Sequence, residues 1–126
     1  MNLRKFSALN LERCVSANGF SHQLADWSEA EWTNAMAGEA GEACNLTKKI
    51  IRHRDGTAGN VKAVDKDLLS LRRRAAKEIA DVIIYADLAI QKLGYDTSDI
   101  LREVFNNKSI ELSCPIVYQD DVDDEL

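Results

Sequence analysis

The chain has 126 residues, 45% hydrophobic and 29% charged, with six glycines and one proline, which suits a single domain with long helices rather than many short strands. Its formal net charge is −5, but five acids sit in the tail "QDDVDDEL", so the body is balanced and duplex nucleic acid is not an expected partner. No apolar run approaches the ~20 residues of a membrane span and no apolar leader opens the sequence, so a cytoplasmic protein with no membrane partner is expected.

Four helices are predicted in chain order. The first runs from about Leu3 to Ser16, on a stripe of Leu3, Phe6, Leu9, Leu11, Cys14 and Val15, and "ANG" ends it. The second begins at "SEAE", where Ser28 and Glu31 have the spacing of a capping box. It continues to about Arg54, where "DGTAGN" breaks it. Trp32, Met36, Ala43, Leu46 and Ile50 line its apolar side. The third starts near Asp65 or Asp67 and runs to Leu93, with Gly94 placed as a C-terminal cap. Its first half is basic and amphipathic; its second half is apolar round most of its circumference. The fourth follows a Thr97 or Ser98 cap and reaches about Glu111, before Pro115. The fold class is all-α, of four-helix bundle type. One domain covers 1–115, and an acidic, flexible tail covers 116–126. Cys14, Cys44 and Cys114 form no CxxC or Cys/His cluster, so reduced, packed cysteines are expected.

Two acidic pairs stand out on this frame. "GEAGEACNLTKK" carries Glu39 and Glu42, and "KEIADVIIYADLAI" carries Glu78 and Asp81. Residues three apart on a helix share a face, so each pair can converge on one point. Tyr85, four residues beyond Asp81, continues the second stripe. The second and third helices are expected to be antiparallel neighbours, which would gather four carboxylates in one small volume. Desolvation and mutual repulsion make such a cluster unstable on its own. A divalent cation relieves both, and carboxylate oxygens without His or Cys suit Mg²⁺ or Mn²⁺. Neither pair has the Glu-x-x-His form of a di-iron bundle. The bland reading is a pair of solvated acidic faces, with Lys48, Lys49 and Arg52 balancing the first.

These residues resemble a known family. "GEAGEACNLTKKIIR", then "KEIADVIIYADLAIQKLGYD", then "FNNKS" is similar to the MazG-like branch of the all-α nucleoside triphosphate pyrophosphatases. That family has an ExxE pair on one helix and an ExxD pair on the next, matched here by Glu39/Glu42 and Glu78/Asp81. The likeness covers roughly Trp27 to Ser109. It departs in the long connection "RDGTAGNVKAVDKDLLS", read as an insertion. The resemblance implies Mg²⁺-dependent cleavage of a nucleoside triphosphate between the α and β phosphates, in a homodimer or homotetramer. On this reading Glu39, Glu42, Glu78 and Asp81 hold the metal, and Glu39 or Glu42 acts as general base.

A triphosphate also needs cations and a surface for its base. Lys49 and Arg52 follow the first motif by about two and three turns and are candidates for the distal phosphates, or else a solvated face. Asn106 and Lys108 match the family's short Asn/Lys element and are assigned to phosphate or sugar. Trp27 and Trp32 are candidates to stack on the base, although Trp32 also belongs to the apolar stripe. Tyr85 is assigned to a phosphate, a metal water or a carboxylate. Two other readings stay open: a non-catalytic helical oligomerisation or regulatory module, and phosphoribosyl-ATP hydrolysis within the same superfamily.

Overall fold

The computed structural model describes residues 1–119. These form four α-helices and two short 3₁₀ turns, with no strand among the described residues. Helix α1 spans Leu3–Val15, α2 Glu29–Asp55, α3 Leu68–Lys92 and α4 Thr97–Glu111. The expected all-α class is what the chain adopts. Of the expected acidic tail, residues 120–126 lie outside the described residues.

Helices α2 and α3 end by the same device. Gly56 and Gly94 take positive φ values of 67° and 91°, a region that costs a residue with a side chain. Around Gly56, its own amide donates to His53 O at 3.4 Å and Thr57 N donates to Arg52 O at 3.0 Å. Around Gly94, Gly94 N donates to Gln91 O at 2.9 Å and Tyr95 N to Ile90 O at 3.2 Å. This Schellman pairing satisfies carbonyls that a helix end leaves open. The start of α4 corrects the sequence reading. Asp96 is the cap, accepting from Asp99 N at 3.0 Å, because the Thr97 hydroxyl is drawn instead to Asp87 at 2.5 Å.

The chain divides into two compact units, Met1–Glu29 with the chain from Asp87 onward, and Ala30–Ala86. In the first, α1 packs against α4, and Arg4 donates to Asp99 at 2.8 Å. Cys14 and Leu88 are fully buried there. Burial pushes the Cys14 thiol up from its ordinary value, with the Asp26 charge adding to the shift, so it packs as a protonated, inert group. None of the three cysteines is in a disulfide. Asp87 is also buried, and its carboxylate accepts from Ser7, Thr97, Asn10 (2.9 Å) and Gln91 (3.0 Å). Four donors from three helices therefore close on one acid.

In the second unit Trp32, Ala43, Leu71 and Ala75 are buried. Polar contacts between α2 and α3 run in opposite senses along the two helices. Glu39 meets Glu78 and Asp81, Glu42 and Asn45 share a cleft with Arg74 and Lys77, and Lys49 reaches Asp65 just ahead of α3. Rising numbers on α2 meet falling numbers on α3, so the pair is antiparallel.

Candidate metal centre

One acid pair faces the other because each lies on the side its helix turns toward its neighbour. Glu39 on α2 and Glu78 and Asp81 on α3 are half-buried, and one carboxylate oxygen from each lies within 4.8 Å of the other two. Two oxygens on one Mg²⁺ sit no more than about 4.2 Å apart, given bonds of ~2.1 Å. Three oxygens cannot all be trans on one ion, so cis pairs about 3.0 Å apart are needed and the three side chains must draw in by about an ångström or more to share it.

Glu78 carries the electrostatic cost of this arrangement. Its Oε2 is shielded from solvent and meets no donor. The groups beside it are the carboxyls of Glu42 and Glu39, which can bond to it only through a shared proton. Desolvation first, then the contacts with Glu42 and Glu39 and the charges of Glu42 and Asp81, push Glu78 up to about 7. A buried acceptor with acids for neighbours is the environment a hard cation neutralises. The donor set is all oxygen, which fits Mg²⁺ or Mn²⁺.

Glu42 lies beside Glu78 but is not one of the three acids whose oxygens approach within 4.8 Å of one another. It is exposed and lies at the rim of a cleft of about 280 Å³ lined by Glu42, Asn45, Leu46, Arg74, Lys77 and Glu78. The cleft thus joins the acidic cluster to two cationic side chains. Lys77 is exposed and makes no hydrogen bond or ion pair among the described residues. Arg74 donates to Asp65, Ser70 and the Val64 carbonyl. Lys77 and Asn45 join the cleft in addition to the residues that the sequence motifs identify. The signal is there in spacing: Asn45 extends the Glu39–Glu42 stripe by three more positions, and Lys77 directly precedes Glu78.

Several residues expected at the site are engaged elsewhere. Lys49 is committed to another acid: its Nζ sits 3.0 Å from Asp65 Oδ2. Asp65 is only 4% exposed and requires opposite charge, which Lys49 and Arg74 supply. Arg52 lines a different cleft, at the end of α2. Trp32 is 1% exposed, so in this chain it packs in the interior and offers no face for stacking. Tyr85 is half-buried on α3.

Trp27, Asn106 and Lys108 belong to the first unit. Trp27 is half-buried against His22, with ring centroids 4.6 Å apart. Both ends of the Asn106 amide are taken by Tyr118: Nδ2 donates to its carbonyl at 3.0 Å and Oδ1 accepts from its N–H at 2.7 Å. Asn106 thereby fastens the chain that follows α4. Lys108 pairs with Glu111 at 2.8 Å on the exposed face of α4.

Compared with protein-family models, curated proteins and solved structures, the chain matches none.

Proposed function

We propose that the protein is a Mg²⁺-dependent nucleoside triphosphate pyrophosphohydrolase, of the kind its acidic motifs resemble. The observation that carries the reading is the approach of Glu39, Glu78 and Asp81 from two helices to within 4.8 Å. In this reading those three acids hold the ion. When bound, the ion polarises the phosphate chain and lowers the pKa of the attacking water.

The chain's own residues divide the remaining work. Glu42, exposed beside the cluster, accepts the proton of the attacking water. Lys77 and Arg74, on the cleft wall, receive phosphate oxygens. The bond between the α and β phosphates breaks, leaving a monophosphate and pyrophosphate. A cleft of about 280 Å³ with these linings suits the phosphate chain better than a base, since base pockets are chiefly apolar.

The proposal includes a homo-oligomer, a dimer or tetramer built from the bundle-type fold. Ile79 and Ile83 stand one turn apart on α3 and are 50% and 55% exposed, and α4 exposes Leu101, Val104 and Phe105. Completing the burial of such half-exposed side chains stabilises association by about 0.7–1.5 kcal/mol each. The same exposed side chains support the second reading, an oligomerisation module without catalysis. Pyrophosphate release measured with Mg²⁺ across canonical, deoxy and modified nucleoside triphosphates, and phosphoribosyl-ATP, separates the two. Turnover of at least one that stops on adding EDTA is expected. Absence of release from every one of them contradicts the enzyme reading.

A further inference from the structure

The inserted connection after α2 folds into something more specific than a spacer. Residues 56–60, "GTAGN", curl back on the last turn of the helix and line an open cleft of about 320 Å³. Its walls include Arg52, His53, Thr57, Gly59, Asn60 and Lys66, and no acidic residue. A β-carbon at Gly59 would stand 3.2–3.3 Å from three atoms of the Arg52 guanidinium arm. Glycine there lets Arg52 lie flat against the loop backbone.

Cationic side chains in the last turn of a helix commonly complement its dipole, and that ordinary explanation covers Arg54, which pairs with Asp55 at 2.7 Å. It does not cover this cleft. The Arg52 and His53 carbonyls already receive Thr57 N and Gly56 N. Lys66 comes from outside the helix, in the 3₁₀ turn Ala63–Lys66. Elsewhere in this unit Lys49, Arg54 and Arg74 each hold a carboxylate. Among the described residues Arg52, His53 and Lys66 hold none. Two permanent cations, an imidazole and a threonine hydroxyl thus line one cleft with no acid among its walls, while the Asn60 Oδ1 there is buried without a donor. The Asn60 Nδ2 is fixed by the Lys49 carbonyl at 2.9 Å, and the cleft is of the size that holds small ligands.

We propose that this cleft is a binding site for a phosphate group, separate from the acidic cluster and independent of the function assigned to it. Arg52 and Lys66 supply charge-assisted hydrogen bonds, and the Thr57 hydroxyl supplies a neutral one. The phosphate can be free, part of pyrophosphate, or esterified to a small alcohol. All three present the same oxygens.

The test is titration of the full chain, in EDTA, with inorganic phosphate, pyrophosphate and glycerol 3-phosphate in turn. Backbone amide shifts of Gly56, Thr57, Gly59 and Asn60 report the binding. EDTA and a Glu39→Gln variant keep the acidic cluster out of the readout. The expected result is saturable shifts at these amides with at least one anion, unchanged in Glu39→Gln. The order of the three midpoints then identifies which form is preferred. Lys66→Gln and Arg52→Gln should each weaken binding at least tenfold. Lys66 is exposed, so its variant remains a fair test even if Arg52→Gln folds poorly. No saturable shift with any of the anions, or parental affinity in Lys66→Gln, overturns the proposal.

Discussion

Lys49 Nζ meets Asp65 Oδ2 at 3.0 Å, and the other oxygen of the same carboxylate accepts from Arg74 at 2.8 Å. The two cations close the connection between α2 and α3 over a nearly buried acid. The Arg74 hydrogen bond, and after it that of Lys49, hold the Asp65 carboxyl below its ordinary value of 3.8. A depressed folded value means stability that is present above pH ~4 and is lost as pH falls through it. Asp65→Asn should therefore melt at a lower temperature at pH 7, because it leaves two cations facing a neutral group. It should also lose part of the acid limb below pH ~4. Thermal melts of both proteins from pH 2 to 7 check this, and superimposable curves would count against it.

Glu78 carries the opposite sign. Its folded value, about 7, lies above the ordinary 4.5, so the folded chain holds that proton more tightly than the unfolded one. The contribution favours folding below pH ~4.5 and is lost as pH rises through about 7. Metal-free protein should thus lose stability across that window. Glu78→Gln should flatten the loss, and millimolar Mg²⁺ above pH 7 should reverse it in the parent by binding the ionised form. Melting midpoints with EDTA and with Mg²⁺ at half-unit pH steps are the measurement. A Glu78→Gln profile as steep as the parent's would remove Glu78 as its source.

Asp87 anchors the first unit through Ser7, Asn10, Gln91 and Thr97. Each donor stranded in the interior costs about 1–3 kcal/mol. Asp87→Ala should lower the unfolding free energy by about 3 kcal/mol or more, read by urea denaturation. A loss near zero would mean that water satisfies the donors once the acid is gone.

Lys77 is the exposed cation of the cleft beside Glu42 and Glu78. If it receives phosphate oxygens, Lys77→Ala removes one charge-assisted contact, worth about 1.5–3 kcal/mol. That corresponds to a fall of roughly 10- to 100-fold in kcat/KM for the nucleotide. Its melting temperature should stay with the parent's. Unchanged kcat/KM would take Lys77 out of the binding surface.

The parts of this molecule that could be read from its sequence are those set by short spacing. Glycine stops and helical periodicity locate α1 to α4, and the i, i+3 rule puts Glu78 beside Asp81. What escaped was set by distant partners. Lys49 is drawn to Asp65, 16 positions away, although its spacing from Glu42 fits a phosphate contact equally well. Asn106 is taken up by Tyr118, 12 positions on, and the Asp87–Ser7 bond spans 80. Local pattern carries no trace of such pairings. Trp32 is a different case: its place on an apolar stripe allowed both core and base-stacking readings, and its 1% exposure decides for the core.

The proposed activity depends on Glu39, Glu78 and Asp81 holding a cation that works on a nucleotide's phosphates. The most direct measurement is pyrophosphate release from nucleoside triphosphates by the parent, Glu39→Gln and Asp81→Asn, at fixed Mg²⁺, with fold checked by circular dichroism. Mg²⁺-dependent release by the parent is expected, with a loss of at least a hundredfold in both variants, about 2.7 kcal/mol of barrier, and helicity retained. Folded variants that release pyrophosphate at the parental rate would contradict it.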